Sequence, residues 1–82
     1  MTDMIGKTIH EVGHAGKNTF FIRTEDNETH VFSAPLGGGW TRKLYGWGNP
    51  VARKELVHNT TYFIDENGEP IIGFIGVGRV NL

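Results

Sequence analysis

The residues from Leu36 to Lys54 combine side-chain types that bind anions and flat rings. The segment reads LGGGWTRKLYGWGNPVARK and holds both tryptophans, five of the twelve glycines, four basic residues and no acid. Trp, Tyr and Arg dominate binding hot spots, and the same residue types stack on bases and pair with phosphates or carboxylates. We therefore predict a binding surface here. The candidate residues are Trp40, Arg42, Lys43, Tyr45, Trp47, Asn49, Arg53 and Lys54.

The glycines of this segment would let the backbone approach a ligand closely. A helix that began at Asn49 or Pro50 would add its free amide groups as an anion site beside Trp47. A purely structural role competes with this interpretation, because a chain with so few large side chains needs at least one Trp in its core. We expect that Trp to be Trp40.

Catalytic chemistry is poorly supported by the sequence. Ser33 is the only serine, the chain has no cysteine, and the nearest histidine, His30, lies three residues away without a buried acid nearby. Asp65 and Glu66 fall at an expected turn, where a raised pKa is not favoured. We therefore expect a protein that is not an enzyme.

Metal chemistry is also poorly supported. His10 and His14 have a spacing that brings two imidazoles together on a helix, but their surroundings predict a strand that runs into a turn. A site would need a third ligand from elsewhere, such as His30 or His58. We interpret the four histidines as scattered surface residues and expect no metal and no cofactor.

Composition restricts the class of protein. Eighty-two residues form a single domain, residues 1–82, with a thin stability margin and no disulfide. A net charge of −1 and a pI near 6.4 argue against a general nucleic-acid coat protein, which would be strongly basic. The chain shows no signal peptide and no apolar run long enough to cross a bilayer. We expect a cytoplasmic protein that does not bind membranes.

Two acidic tips, residues 25–28 and 65–69, carry charge of the opposite sign to that of the basic segment, which makes the molecule dipolar. They lack the regular oxygen spacing of calcium loops, so we interpret them as solvated turns. A dipolar molecule with a small core favours self-association. A closed two-fold dimer is the default expectation.

Alternation of apolar and polar residues, broken by Gly, Asn and Asp, predicts strands and turns. A hairpin with residues 25–28 at its tip would place Ile22 opposite Val31 and Phe21 opposite Phe32. The predicted strands are 5–12, 19–24, 29–33 and two strands around Asn67-Gly68, with a turn over 14–18 and a short strand within 40–45.

Asn67-Gly68 is the strongest short hairpin signal in the chain. A two-residue turn there requires a positive φ at Gly68 and pairs Tyr62 with Gly73, where the ring can cover bare backbone. The same register pairs Phe63 with Ile72 and Ile64 with Ile71. The final strand is expected to continue through Phe74, Ile75, Val77 and Val80.

One short helix is predicted near residues 50–57, with Asn49 as its N-cap and Pro50 at its first position. The fold class is therefore mainly β, with five to six antiparallel strands in a small barrel or curled sheet. The element order matches an OB-type barrel, and an SH3-like barrel fits almost as well.

These observations favour a small non-catalytic protein that grips a macromolecular partner, most of all a protein, through residues 36–54. Small chains of this kind are often inhibitors or adaptors, such as those that viruses encode. The first alternative is a binder of a nucleotide or a short single-stranded nucleic acid through the same segment. The second is a structural subunit of a homo-oligomer.

Overall fold

The computed structural model describes residues 4–33 and 38–76, and this part of the chain is built of strands and turns. It contains no helix, and so none that could span a membrane. The seven strands are β1 (Ile9–Gly16), β2 (Thr19–Thr24), β3 (Thr29–Ser33), β4 (Gly39–Trp40), β5 (Arg53–Val57), β6 (Thr60–Ile64) and β7 (Pro70–Ile75).

The strands form two antiparallel sheets that pack against each other. One sheet has the order β1-β2-β3 and the other has the order β4-β7-β6-β5. Aromatic rings join them: Phe32 of β3 meets Phe74 of β7 at 5.3 Å between ring centroids, edge to face. The prediction of a mainly β domain is confirmed, but these strands do not close into a barrel.

Backbone pairing connects the two sheets at one corner. Thr8, just before β1, forms an antiparallel bridge with Pro50, just before β5. Gly6 N donates to Val51 O at 2.8 Å, and Val51 N donates to Lys7 O at 2.9 Å. Met4 and Val51 are buried beneath this corner, so the N-terminal segment contributes to the core.

The two acidic hairpins share one loop geometry. Thr24 N donates to Glu28 O, and Asp65 N donates to Glu69 O, each at 2.9 Å. Each loop therefore has three residues, and its last residue is left-handed: Asn27 has φ 68° and Gly68 has φ 81°. This is the three-residue hairpin in which a left-handed residue closes the turn.

The loop length decides the strand register. In the first hairpin, Phe20 faces Phe32 and Phe21 faces Val31, one residue away from the predicted pairing, because the loop is residues 25–27 and not 25–28. The second hairpin is confirmed with its positive φ at Gly68, but the predicted two-residue turn is wrong, because the loop is residues 66–68. Ile64 pairs with Pro70 and not with Ile71, and an irregularity after Phe63 restores the predicted pairs Phe63–Ile72 and Tyr62–Gly73.

The first strand starts and ends later than predicted. β1 extends to Gly16, which pairs with Thr19 across Lys17 and Asn18. The predicted turn over 14–18 is thus reduced to its last residues, where Asn18 has φ 60°. At the other end of the chain β7 stops at Ile75, and Val77 and Val80 lie outside the described residues.

The predicted helix near residues 50–57 is wrong. Pro50, the first residue of that predicted helix, pairs with Thr8, and Ala52 N donates to Ile64 O at 2.8 Å. The residues that follow pair with β6 from Arg53 to Val57. Pairing with Thr8 and with β6 therefore overrides the local preference for a helix, and the five exposed residues of β5 gain their backbone hydrogen bonds from the sheet.

Gly73 is buried because the Tyr62 ring lies over it. A Cβ atom built on Gly73 would lie 2.7 Å from Tyr62 Cε1 and 2.9 Å from Thr60 Cγ2. The cross-strand pair is therefore an aromatic ring covering a glycine, as the sequence predicted.

We expect Gly73→Ala to lower the free energy of unfolding by about 1–3 kcal/mol, because the added methyl group overpacks against Tyr62 and Thr60. Denaturant unfolding will measure the change. Gly39→Ala in β4 is the matched control, since a Cβ there meets no atom within 4 Å. The cost should shrink in a Tyr62→Ala background, and an equal cost in both backgrounds would contradict the contact.

Candidate functional site

Residues 41–49, called here the basic–aromatic loop, follow β4 along the free edge of β7. Thr41 N donates to Gly73 O at 2.8 Å, Leu44 N to Ile71 O at 3.0 Å and Gly46 N to Pro70 O at 2.9 Å. Gly73 N in return donates to Thr41 Oγ1 at 3.0 Å. The loop is therefore anchored to the sheet along its length, although only two residues of β4 precede it.

Tyr45 stands at the tip of a turn within this loop. Trp47 N donates to Leu44 O at 3.1 Å and Asn49 N donates to Gly46 O at 3.0 Å. The first of these bonds closes a four-residue turn from Leu44 to Trp47, and Tyr45 is its second residue. Its side chain is 91% exposed, the highest value among the exposed large hydrophobic residues. A rigid backbone thus presents a free aromatic ring.

Two basic residues, Arg42 and Lys43, line a cleft together with Tyr45. Lys43 Nζ lies 4.9 Å from the centroid of the Trp47 ring, a cation–π contact. Arg42 and Lys43 are both exposed, and together with Leu44 and Tyr45 they line a surface cleft of about 390 Å³. Trp47 itself is half-buried against the core.

The charges of Arg42 and Lys43 lack an acidic partner among the described residues. By contrast, Lys7 Nζ lies 2.7 Å from Asp26 Oδ2, and Arg53 Nη1 lies 2.6 Å from Glu55 Oε2. Arg23 likewise pairs with Glu11. The positive charge beside Tyr45 is therefore available to a carboxylate or phosphate from outside the chain.

The carboxylate of Asp65 fixes the loop to the second hairpin. It accepts hydrogen bonds from Asn49 Nδ2 at 2.8 Å and from the backbone N–H groups of Asn67 and Glu69, each at 2.9 Å. The Asn49 amide is the main cause that holds the pKa of Asp65 below its ordinary value of 3.8, against the opposing effect of burial. Asp65 is thus a buried, charged anchor.

Gly46 is required where the loop crosses this anchor. A Cβ on Gly46 would lie 2.9 Å from Asp65 Oδ2 and 2.9 Å from Glu69 O. Only a residue without a side chain lets the loop approach the hairpin so closely. The glycine therefore positions Tyr45 indirectly.

The structure brings only part of the predicted surface together. Arg42, Lys43, Tyr45 and Trp47 share the basic–aromatic loop, while Arg53 and Lys54 lie on β5 at the opposite edge of the sheet. Three strand spacings separate those edges, roughly 14 Å. Residues 36 and 37 of the segment lie outside the described residues.

Two other predicted site residues have structural contacts. Trp40 is half-buried and packs between the sheets, at 5.1 Å from Phe20 and 4.8 Å from His14 between ring centroids. The Asn49 side chain binds Asp65 and does not cap a helix. Both residues hold the loop in place from its two ends.

The histidines do not gather into a site. His14 contacts Trp40 and Phe20, whereas His30 contacts Glu28 at 3.2 Å. Over residues 4–33 and 38–76, no three His, Cys, Asp or Glu side chains are arranged to hold a metal ion.

The sequence did not identify Asp65 as part of this region. The sequence predicts a solvated acidic turn over residues 65–69, yet Asp65 is the buried member of that turn. Its position at the first residue of an Asn-Gly hairpin was the available signal, because an aspartate there bonds the backbone two residues on. Its bond to Asn49 has no signal in a single sequence.

Comparison of the chain with known protein families, with curated proteins and with solved structures finds no match. The functional argument therefore rests on the geometry of the basic–aromatic loop.

Because folding lowers the pKa of Asp65, its contribution to stability is present above the ordinary pKa of 3.8 and is lost as the pH falls through the lowered value. We expect Asp65→Asn to reduce stability at neutral pH and to flatten the acid limb of the stability curve. Denaturant unfolding at a series of pH values from neutral to strongly acidic will show both effects.

Glu66→Gln is the matched control, because it removes the same charge from an exposed neighbour. Asp26, whose pKa is also lowered by its hydrogen bond to Lys7, is present in both variants and cancels in the comparison. Identical acid limbs for Asp65→Asn and Glu66→Gln would show that Asp65 is not the anchor.

Proposed function

We propose that this protein is a non-catalytic binding module that grips an acidic surface of a protein partner through Arg42, Lys43 and Tyr45. The observation that carries the proposal is the exposure of Tyr45 on an anchored turn, beside two cations that have no acidic partner among the described residues. A large aromatic ring held in water gains nothing for the isolated chain, whereas in a complex it supplies contact area with little loss of rotamer freedom.

The anchoring favours affinity. Thr41, Leu44 and Gly46 fix the loop backbone to β7, so binding does not have to order it and the entropic cost of association is reduced. Arg42 and Lys43 add attraction for carboxylates, which speeds encounter with an acidic partner. Tyr45 then acts as the central anchor and the two cations as the charged rim.

The shape of the region favours a protein over a small ligand. Pockets for small molecules enclose most of the ligand surface, but this cleft is lined by four consecutive residues of one loop. Lys43 lies over the Trp47 ring, and Trp47 is packed against the core. Tyr45 is thus the one ring of the loop that is free to stack, which supports insertion into a partner pocket better than a row of stacked bases.

We expect Tyr45→Ala to weaken binding of the protein partner by about 2 kcal/mol or more, as truncations of hot-spot residues do. The thermal midpoint should stay near that of the wild type, because the side chain is 91% exposed. The partner is first captured from lysate of the native host on immobilised wild-type protein, and its affinity for each variant is then measured by calorimetry. Trp47→Ala is a less clean variant, since it also removes core packing.

Lys43→Glu tests the charge. This substitution should slow association with the partner, and the slowing should grow as the salt concentration is lowered. Lys17→Glu makes the same charge change in the exposed turn between β1 and β2, and it should leave the association rate nearly unchanged. A partner whose affinity is indifferent to both Tyr45→Ala and Lys43→Glu would exclude this loop as the binding surface.

The same loop could instead hold a short single-stranded nucleic acid, with Tyr45 stacked on a base and Arg42 and Lys43 on phosphates. Salt dependence separates the two, because each neutralised phosphate releases counterions and makes the affinity fall steeply with salt. Tyr45-dependent binding of a fluorescent single-stranded oligonucleotide, with such a steep slope, would favour that second function.

A further inference from the structure

Four strands lie at the edges of the two sheets, and three of them carry features that discourage pairing with another chain. β1 has two irregularities in its register, after Ile9 and after His14. β4 is two residues long, and β5 presents the charges of Arg53, Lys54 and Glu55. Bulges, short length and charge are the usual protections of an exposed edge.

The fourth edge strand, β3, has none of these protections. It reads Thr-His-Val-Phe-Ser and pairs with β2 in an unbroken register from Thr29 to Ser33. It contains no Lys, Arg, Asp, Glu or Pro, and Val31 at its centre is 58% exposed. No backbone group in the described part of the chain pairs with its outer side.

The register identifies the free backbone groups. Thr24 N donates to Glu28 O, and hydrogen-bonded pairs alternate along an antiparallel ladder. The N–H and C=O groups of His30 and Phe32 therefore point to β2, while those of Thr29, Val31 and Ser33 point to the open side. These three residues are two apart and form a complete ladder for one more strand.

The contacts between the two sheets leave the outer side of β3 unpaired in the described part of the chain. Trp40 of β4 contacts His14 and Phe20, on β1 and β2, and Phe74 of β7 contacts Phe32 on β3. The bridge between Thr8 and Pro50 holds the start of β5 beside the start of β1, at the edge of the first sheet that is opposite β3.

We propose that two copies of this chain associate by antiparallel pairing of their β3 strands, about a two-fold axis at Val31, into a continuous six-stranded sheet. Val31 then faces the same residue of the second copy, and Thr29 faces Ser33. About six backbone hydrogen bonds form, and no like charges are opposed. The equivalent pairing of β5 strands about their central residue would oppose two Glu55 side chains, which is unfavourable.

Disulfide trapping tests the register, since the chain has no cysteine of its own. Paired residues on neighbouring antiparallel strands have Cα atoms about 5.5 Å apart, within the range that a disulfide spans. We expect Val31→Cys to form covalent dimers rapidly under mild oxidation. Val57→Cys on β5, also exposed, is the control and should cross-link slowly. Equal rates for the two variants would overturn the proposal.

Sedimentation equilibrium tests the association without a covalent trap. The wild type should dimerise at micromolar to high-micromolar concentrations, and Val31→Lys should weaken the dimer by about tenfold or more, because it opposes two like charges at the axis. Val57→Lys should leave the dimer intact. A wild type that is strictly monomeric at high-micromolar concentration, or a folded Val31→Lys variant that dimerises like the wild type, would refute the β3 interface.

Discussion

A single buried carboxylate connects the local and long-range parts of this structure. Asp65 shapes the Asn67-Gly68 turn through two backbone N–H groups and holds Asn49 of the basic–aromatic loop through a third hydrogen bond. The β6–β7 hairpin supplies the most deeply buried strand of the second sheet, while the loop supplies its exposed chemistry. One charged group therefore sets where Tyr45 stands relative to the core, because Gly46 passes directly against it. The binding surface we propose is rigid for this reason, although it lies outside regular strands.

Local turn chemistry made much of the fold predictable. The Asn67-Gly68 hairpin, the β2–β3 hairpin and the Tyr62–Gly73 pair all follow from residues close together in sequence. The errors of one residue in register arose because both loops close after three residues, with Asn27 or Gly68 left-handed. In the polar run 25–28, nothing in the sequence indicates that the loop ends at Asn27 and not at Glu28.

The wrong predictions of a helix near residues 50–57 and of a closed barrel had a different cause. Asn49-Pro50 has the same appearance before a helix and before a strand, and only the pairing of Pro50 with Thr8 decides between them. That contact joins distant parts of the chain and leaves no trace in local propensity, which tertiary context often overrides. The same limitation applies to the site: residue types drew attention to residues 36–54, but strand order placed Arg53 and Lys54 away from Tyr45.

The corner formed by Thr8 and Pro50 also bears on the order in which the chain acquires its structure. The hairpins involve neighbouring residues and have small loop-closure entropies, whereas the corner must close a loop that contains the whole first sheet and the basic–aromatic loop. Gly6 and Lys7 form backbone hydrogen bonds with Val51, and Met4 is buried in the same core cluster. During synthesis, the pairing of Gly6 and Lys7 must therefore wait until Val51 has been made, and this corner is among the last parts of the described structure to become protected from solvent.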